Sequence, residues 1–356
     1  MKIGILTFHC AYNFGAMLQA YALQEQLRLM GHDAHILDYR PDYLVSPRPP
    51  LYLRNLVMHP RWWFHDRVLT LSYFKHHYLF KFFEKKYYRF RKLNGKSGHF
   101  DAIIIGSDQV WNRRFNGKDD PIWFGKLPEG ISADKIITYA ASAGDATDKE
   151  FDTGSVHQRL HNIESVLVRE QHLNDILNQH GIRSRTVIDP TLLASPQVWS
   201  RWTKKTKRSD FVLVYQGREH PDVMRIAMDI ARQKGCRVIT VDWYKASYEL
   251  SSPHGHKDIS PAGFVKLVAR ARCVVTSSFH GTAFAIICNT PFYSIRMSDG
   301  ADSRVAHLLA DLGLDDRFIS RETTPEFSPV DYATANSKLD TLRKDSLTLL
   351  NNALII

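Results

Sequence analysis

The sequence contains no CxxC pair, no Cys/His spacing suited to a metal and no GxGxxG. Its four cysteines, Cys10, Cys236, Cys273 and Cys288, stand far apart. That argues against a disulfide framework or a zinc knuckle and leaves four reduced, mostly buried thiols. Without the glycine fingerprint a dinucleotide cofactor is disfavoured. No apolar run reaches the ~18–20 residues that cross a bilayer. There is no short repeat and no low-complexity tract. The chain opens directly into the strand-like "KIGILTF", with no charged-then-apolar leader, and a cytoplasmic protein is expected.

What is present is an ordinary globular composition, 44% hydrophobic, over 356 residues. That is too long for one comfortable core and suits two domains. The net charge of +10 favours acidic partners: phosphate-bearing substrates, nucleic acid or an anionic membrane surface. Charge alone does not choose among them.

Along the chain, apolar strand patterns alternate with helical ones. "KIGILTF" precedes the periodic "AMLQAYALQEQLRLMG", and "AHILDY" follows. "DAIIIGSD" (101–108), "KIITYAAS" (135–142), "SVLVRE" (165–170) and "TVIDPTLL" (186–193) read as further strands. Residues 194–210 are polar and basic and read as a hinge. The alternation then restarts with "FVLVYQG", a helix over 221–235 closed by Gly235, "RVITVD", a helix over 261–272, "CVVTSS", a helix over 280–288, "FYSIR" and a helix over 303–313. The fold class is therefore α/β, with two Rossmann-like domains facing a cleft. The expected divisions are 1–195, 196–335 and an amphipathic terminal helix over 336–356 that packs back on the first domain.

An insert at 47–98 breaks the alternation with "RWWFHDRVLTLSYFKHHYLFKFFEKKYYRFRK". It reads either as a helix covering the sheet with a solvated basic face or as a patch that touches anionic lipid or a lipid-linked substrate. Aromatics among cations also suit nucleic acid, but no nucleic-acid motif accompanies them.

Three stretches place chemistry-bearing residues at the carboxyl ends of strands, where open α/β sheets bind ligands. In "TSSFHG", Ser277 and Ser278 precede a helix start whose free N–H groups suit an anion. His280 stands beside it as a proton donor or acceptor, and Gly281 permits close backbone approach. The plainer reading is a helix cap and a satisfied core histidine. In "FHCAYNFGA", Asn13 and Gly15 occupy the first strand-to-helix turn, either as a ligand edge or only as a tight turn. In "GSDQVWN", Asp108 is a candidate base. Ser107, Gln109, Trp111 and Asn112 suit hydroxyls and a sugar face, although Ser107 or Asp108 can equally cap a helix. Arg218 and Arg296 end strands on the same edge and are candidates for binding a carboxylate or phosphate. Surface or interdomain arginines are the alternative.

"FHCAYNFGAMLQAYALQ", "GSDQVWN", "VLVREQHLNDIL", "VIDPTLL", "TSSFHGTAFAI", "PFYSIR" and "DSRVAHLLADLGL" come in an order that resembles the polysaccharide pyruvyl transferase family, over nearly the whole chain. The resemblance implies a glycosyltransferase-B-like pair of domains. It also implies transfer of the pyruvyl group of phosphoenolpyruvate onto two hydroxyls of a sugar, forming a cyclic ketal and releasing phosphate; that chemistry needs no metal, the sequence shows no ligand cluster for one, and no cofactor is expected. It carries His280 over as catalytic. Better-known members have Arg-x-His where this chain has Ser278-Phe279-His280, so their arginine does not carry over. The implied partners are phosphoenolpyruvate and a sugar acceptor, free or lipid-linked, at the inner face of the membrane if lipid-linked. Two other readings stay open: a glycosyltransferase using a nucleotide sugar, and a catalytically silent subunit of a polysaccharide assembly complex. Nucleic-acid binding ranks last.

Overall fold

Near-continuous apolar runs are what parallel strands need when both sheet faces are covered, and these runs form two parallel sheets. The computed structural model describes residues 1–45, 75–92, 98–117, 119–144, 153–203, 209–217, 220–241, 259–298 and 302–355. The first sheet comprises β1 (Lys2–Leu6), β2 (Asp33–Asp38), β3 (Phe90–Lys92), β4 (Gly98–Ile105) and β5 (Ile131–Thr138), in the order β3-β2-β1-β4-β5. The pair β6 (Val166–Val168) and β7 (Ser184–Thr186) continues it beyond β5 through bridges at Ile137–Ser165 and Ala141–Val168. The second sheet comprises β8 (Phe211–Tyr215), β9 (Arg237–Val241), β10 (Cys273–Thr276), β11 (Phe292–Ile295) and β12 (Phe318–Ile319), in the order β12-β11-β10-β8-β9. Strand order therefore reverses between β1 and β4 in one domain and between β8 and β10 in the other. Those are the two crevices where a doubly wound sheet binds its ligand.

Helix ends follow local chemistry. Asn13 caps the helix Phe14–Leu29, accepting from the N–H groups of Gly15 and Ala16. Pro221 and Pro261 start the helices Pro221–Lys234 and Pro261–Arg270, and Gly235 closes the former in the left-handed region at φ 58°.

Two segments differ from the sequence expectation. "TVIDPTLL" supplies only the end of β7. Asp189 then caps a short helix, Pro190–Leu193, because Pro190 cannot donate to a ladder but suits a first helical position. Nor is the region 194–210 simply a hinge, since Pro196–Thr203 is a helix whose Val198, Trp199 and Trp202 are buried in the core. The three recur at helical spacing, and that apolar face outweighs the basic residues between them.

One apolar cluster runs between the domains. Phe14, from the first domain, stacks on Phe264, from the second, with centroids 4.9 Å apart and planes 3° from parallel. The terminal helix Tyr332–Ile355 spans both. Near its start the Tyr332 hydroxyl donates to the Thr290 carbonyl. Further on Ser346 accepts from the Ile188 N–H, and Leu350 and Leu354 pack with Ile3 and Ile5 under the first sheet. Among the described residues no helix is long and apolar enough to cross a membrane. Of the insert, a helix over 75–87 and β3 are described; residues 46–74 and 93–97 lie outside the described set.

Candidate active site

The two crevices meet at His280. Its ring lies so close to Gly15 that a Cβ built on that glycine would stand 2.0 Å from Nδ1. Only glycine admits this approach of one domain's helix start to the other's. Gly281 plays the same part within the second domain: a Cβ there would stand 2.2 Å from Thr276 Oγ1. The imidazole is 12% exposed, and its Nε2 is 3.7 Å from Asp189 Oδ2, beyond hydrogen-bond length. That nitrogen has no hydrogen-bond partner.

Asp189 is fully buried. Its Oδ1 accepts from the Thr191 N–H and hydroxyl, at 2.9 and 2.7 Å, and its Oδ2 from Arg169 Nη1 at 3.0 Å and Ser107 Oγ at 3.4 Å. Burial alone would raise this carboxyl. The imidazole of His280, the Arg169 guanidinium and the Thr191 N–H outweigh it and hold Asp189 well below the usual carboxylate range. Arg169 also donates to Glu170 Oε1 at 3.0 Å and to Ser142 Oγ at 2.9 Å. Burial opposes its charge, but Glu170, Asp189 and Asp108 raise its pKa above the ordinary arginine value.

Among the described residues three buried polar atoms of this neighbourhood make no hydrogen bond: His280 Nε2, Glu170 Oε2 and Arg304 Nε. Arg304 is pressed the other way from Arg169. Burial, and then repulsion from Arg169, lower its pKa, with Glu170, Asp108 and Asp189 partly compensating. The Phe279 ring takes the guanidiniums of both, at 5.3 Å for Arg169 and 6.0 Å for Arg304. Unsatisfied buried groups are costly in isolation. Three of them in one polar cluster describe a place equipped to take a polar ligand.

The sequence candidates fall into three groups. Ser107, Asp108, Gly15, Ser278, His280 and Gly281 come together around the two crevices. Ser107 Oγ accepts from the Asp108 N–H at 2.6 Å, and Asp108, half-buried with φ 70°, accepts from the Gln109 N–H. Ser278 is the cap residue of the helix Phe279–Ile287 but makes no side-chain cap bond, so it satisfies none of the first-turn N–H groups. Ser277 lies at the end of β10, half-buried.

A second group serves local structure. Asn13 caps the first helix. Gln109 Oε1 accepts from Asn112 Nδ2 at 2.7 Å, and the buried Trp111 donates its indole N–H to the Trp123 carbonyl at 2.8 Å. The remaining two are arginines. Arg296 is exposed, donating to the Phe318 carbonyl with its guanidinium 4.3 Å from the Phe318 centroid. Arg218 lies outside the described residues.

Arg169, Glu170 and Asp189 are site residues that the sequence reading does not reach. The available signal was a charged pair directly after the apolar "VLV" and an aspartate directly before a proline. Both are strand-end positions of the kind that marked Asp108. Charges around the ring are balanced: Arg169, Arg304 and a protonated His280 would face Asp108, Glu170 and Asp189. Among the described residues one trio, His99, Asp101 and Asp134, has metal-ligand spacing. It lies in β4 and β5 away from their carboxyl ends, with Asp101 accepting from the Lys2 N–H and His99 paired with Asp134.

A family model described as polysaccharide pyruvyl transferase matches residues 13–299. No curated protein matches the chain significantly. Among solved structures the chain is similar to the UDP-GlcNAc 2-epimerase of Methanocaldococcus jannaschii in complex with UDP-GlcNAc and UDP, with 11% identity and a TM-score of 0.46 over 96% of this chain and 93% of that one. It is also similar to UGT89C1 of Arabidopsis thaliana, with 13% identity and a TM-score of 0.43 over 99% and 93%. The UDP-N-acetylglucosamine 2-epimerase of Rickettsia bellii gives 12% and 0.43 over 99% and 97%. Similarity this low carries no argument about chemistry.

Proposed function

The chain belongs to the polysaccharide pyruvyl transferase family, and from that premise we propose that it moves the pyruvyl group of phosphoenolpyruvate onto two hydroxyls of one sugar as a cyclic ketal. The acceptor is a sugar of a polysaccharide or of its lipid-linked precursor, and the reaction is cytoplasmic. The single observation that carries the reading is the His280 ring, held where the two crevices meet with an unpartnered Nε2.

Each step balances without an added reagent. A proton is delivered to C3 of the donor, making it a methyl group and C2 electrophilic. One sugar hydroxyl adds to C2 and loses its proton. The C2–O bond to phosphate breaks, the second hydroxyl adds to C2, and the ring closes as its proton departs. Of the two hydroxyl protons, one replaces that delivered to C3 and the other leaves with phosphate. No redox change occurs, so the step calls for no redox cofactor.

His280 is the proton donor to C3 or to the departing phosphate. Asp189 holds its anionic form through the cycle and faces the ring across 3.7 Å. Arg304 and the uncapped start of the helix Phe279–Ile287 stabilise the departing phosphate, in place of the arginine that position 278 lacks. Glu170 and Asp108 face the acceptor, where an unpartnered carboxylate oxygen can accept from a hydroxyl. Arg169, donating to Glu170 Oε1 at 3.0 Å, holds that carboxylate in place.

Calorimetric titration with phosphoenolpyruvate, and in parallel with a panel of UDP-sugars, separates this reading from a nucleotide-sugar transferase. Phosphoenolpyruvate is expected to bind and to lose affinity in Arg304→Gln. Turnover with sugar acceptors should release inorganic phosphate and give a ketal methyl signal by NMR. Binding of a UDP-sugar with no heat from phosphoenolpyruvate would replace the proposal.

A further inference from the structure

The helix over 75–87 has two unlike faces. Phe80, Phe83 and Glu84 are buried against the first domain, and Glu84 is closed by Arg40 and Lys81 at 2.8 and 3.0 Å. Opposite them, Tyr78 is 65% and Phe82 46% exposed. Their rings stack on each other with centroids 6.3 Å apart. Lys85 and Lys86 are exposed on the same side, with Lys86 Nζ 5.5 Å from the Phe82 centroid. Residues 78, 82 and 85 follow the i, i+4, i+7 spacing of one helical face. Glu84 is the only carboxylate between residues 75 and 91 and lies on the buried side, so the outward face carries no negative charge.

A single exposed aromatic needs no explanation. A stacked aromatic pair bordered by cations, with acid kept to the other face, has the composition of a surface that settles into a headgroup layer. Its position also bears on the site. Tyr12, in the loop that leads to Asn13 and Gly15, packs on His77 and Phe80 with centroids 4.9 and 5.6 Å apart. The helix therefore sits on the loop that backs His280.

We infer that this face docks on an anionic phospholipid surface, with Tyr78 and Phe82 entering the headgroup region and Lys85 and Lys86 pairing with lipid phosphates. Docking holds the cleft's first loop at the membrane surface, where a sugar tethered to a lipid would be presented. The docking itself does not depend on which donor the site uses, so it stands or falls separately from the pyruvyl-transfer reading.

Co-sedimentation of the whole protein with vesicles tests it. Phosphatidylglycerol-rich vesicles should bind the protein at low salt and phosphatidylcholine vesicles should not, with binding weakening as sodium chloride is raised. Each lysine near such a surface contributes about fivefold in partitioning, so Lys85→Ala with Lys86→Ala should lower binding about 25-fold. Tyr78→Ala with Phe82→Ala should lower it roughly tenfold at unchanged charge, by removing apolar area from the interface. These side chains are exposed, so both double variants should melt with the native protein, which a thermal scan checks. Absence of binding to anionic vesicles at low salt, or binding that both double variants retain in full, overturns the inference. So does tight capture of a labelled single-stranded RNA through the same lysines without vesicle binding.

Discussion

Two clusters are built from the same four residue types, a histidine, an aspartate, an arginine and a glutamate, and they are finished differently. In the first, His9 Nε2 pairs with Asp38 at 3.1 Å and its Nδ1 lies 3.1 Å from the Thr7 carbonyl. Arg40 bridges Asp38 and Glu84, and Lys81 joins Glu84. In the second, Arg169 bridges Asp189 and Glu170, but His280 stands off at 3.7 Å, and His280, Glu170 and Arg304 each keep an unpartnered atom. A closed cluster contributes only to the fold. An open one carries a desolvation cost that a ligand can relieve. Hydrogen bonding left incomplete, rather than the kind of residue, separates the cluster proposed as the active site from the other.

The sharpest way to break that comparison is to change each histidine in turn. His280→Gln is expected to lower kcat roughly 10²–10⁴-fold while the melting temperature stays put. His9→Gln should leave turnover of the folded protein intact and lower stability by about 1–3 kcal/mol. Phosphate-release assays beside thermal melts read both, and the reverse pattern would exchange the roles of the clusters. Next in size is Glu84→Ala, which leaves Arg40 and Lys81 without their carboxylate and should lower stability by about 3 kcal/mol. Urea unfolding measures it, and a loss comparable to that of an exposed surface change would show the first cluster to be idle. Gly15→Ala sets a methyl group against the His280 ring. About 1–3 kcal/mol of stability should be lost, together with a fall in kcat, whereas unchanged turnover would show that the ring can move without consequence.

The smallest expected effect lies in acid. Asp189 titrates below its unfolded value, so its stabilising contribution is complete above the ordinary aspartate range near pH 4 and is lost as pH falls through the depressed folded value. Asp38 is depressed too, with burial opposing and His9 and Arg40 prevailing, but it is partly exposed. Unfolding curves taken from pH 7 to pH 3 should flatten more in Asp189→Asn than in Asp38→Asn. Equal flattening would mean that the two carboxylates are equally screened.

Much of the fold is legible because covered parallel strands must be apolar and glycine or proline must mark their ends. "AIII", "FVLVY" and "CVVT" announce themselves in this way. The errors arise where local chemistry is overruled by distant packing. Residues 196–203 look basic and irregular until Trp199 finds Phe284, 5.0 Å away, and Trp202 finds Tyr21, 5.1 Å away. His280 and Asp108 are legible because strand-end positions are. The ionic pair Arg169–Asp189 is not, because its burial depends on a short second pair of strands extending the sheet and on a histidine from the other domain. Position 278 shows the same limit: the sequence has a serine there, and only three dimensions bring Arg304 beside Phe279.

The long terminal helix has a mechanical consequence. Its 24 residues make a rod of about 36 Å, anchored through Tyr332 on one lobe and through Ser346, Leu350 and Leu354 on the other. Gaping of the lobes must bend that rod or tear one anchorage loose. The helix therefore acts as a brace that resists gaping and presets the spacing of the lobes.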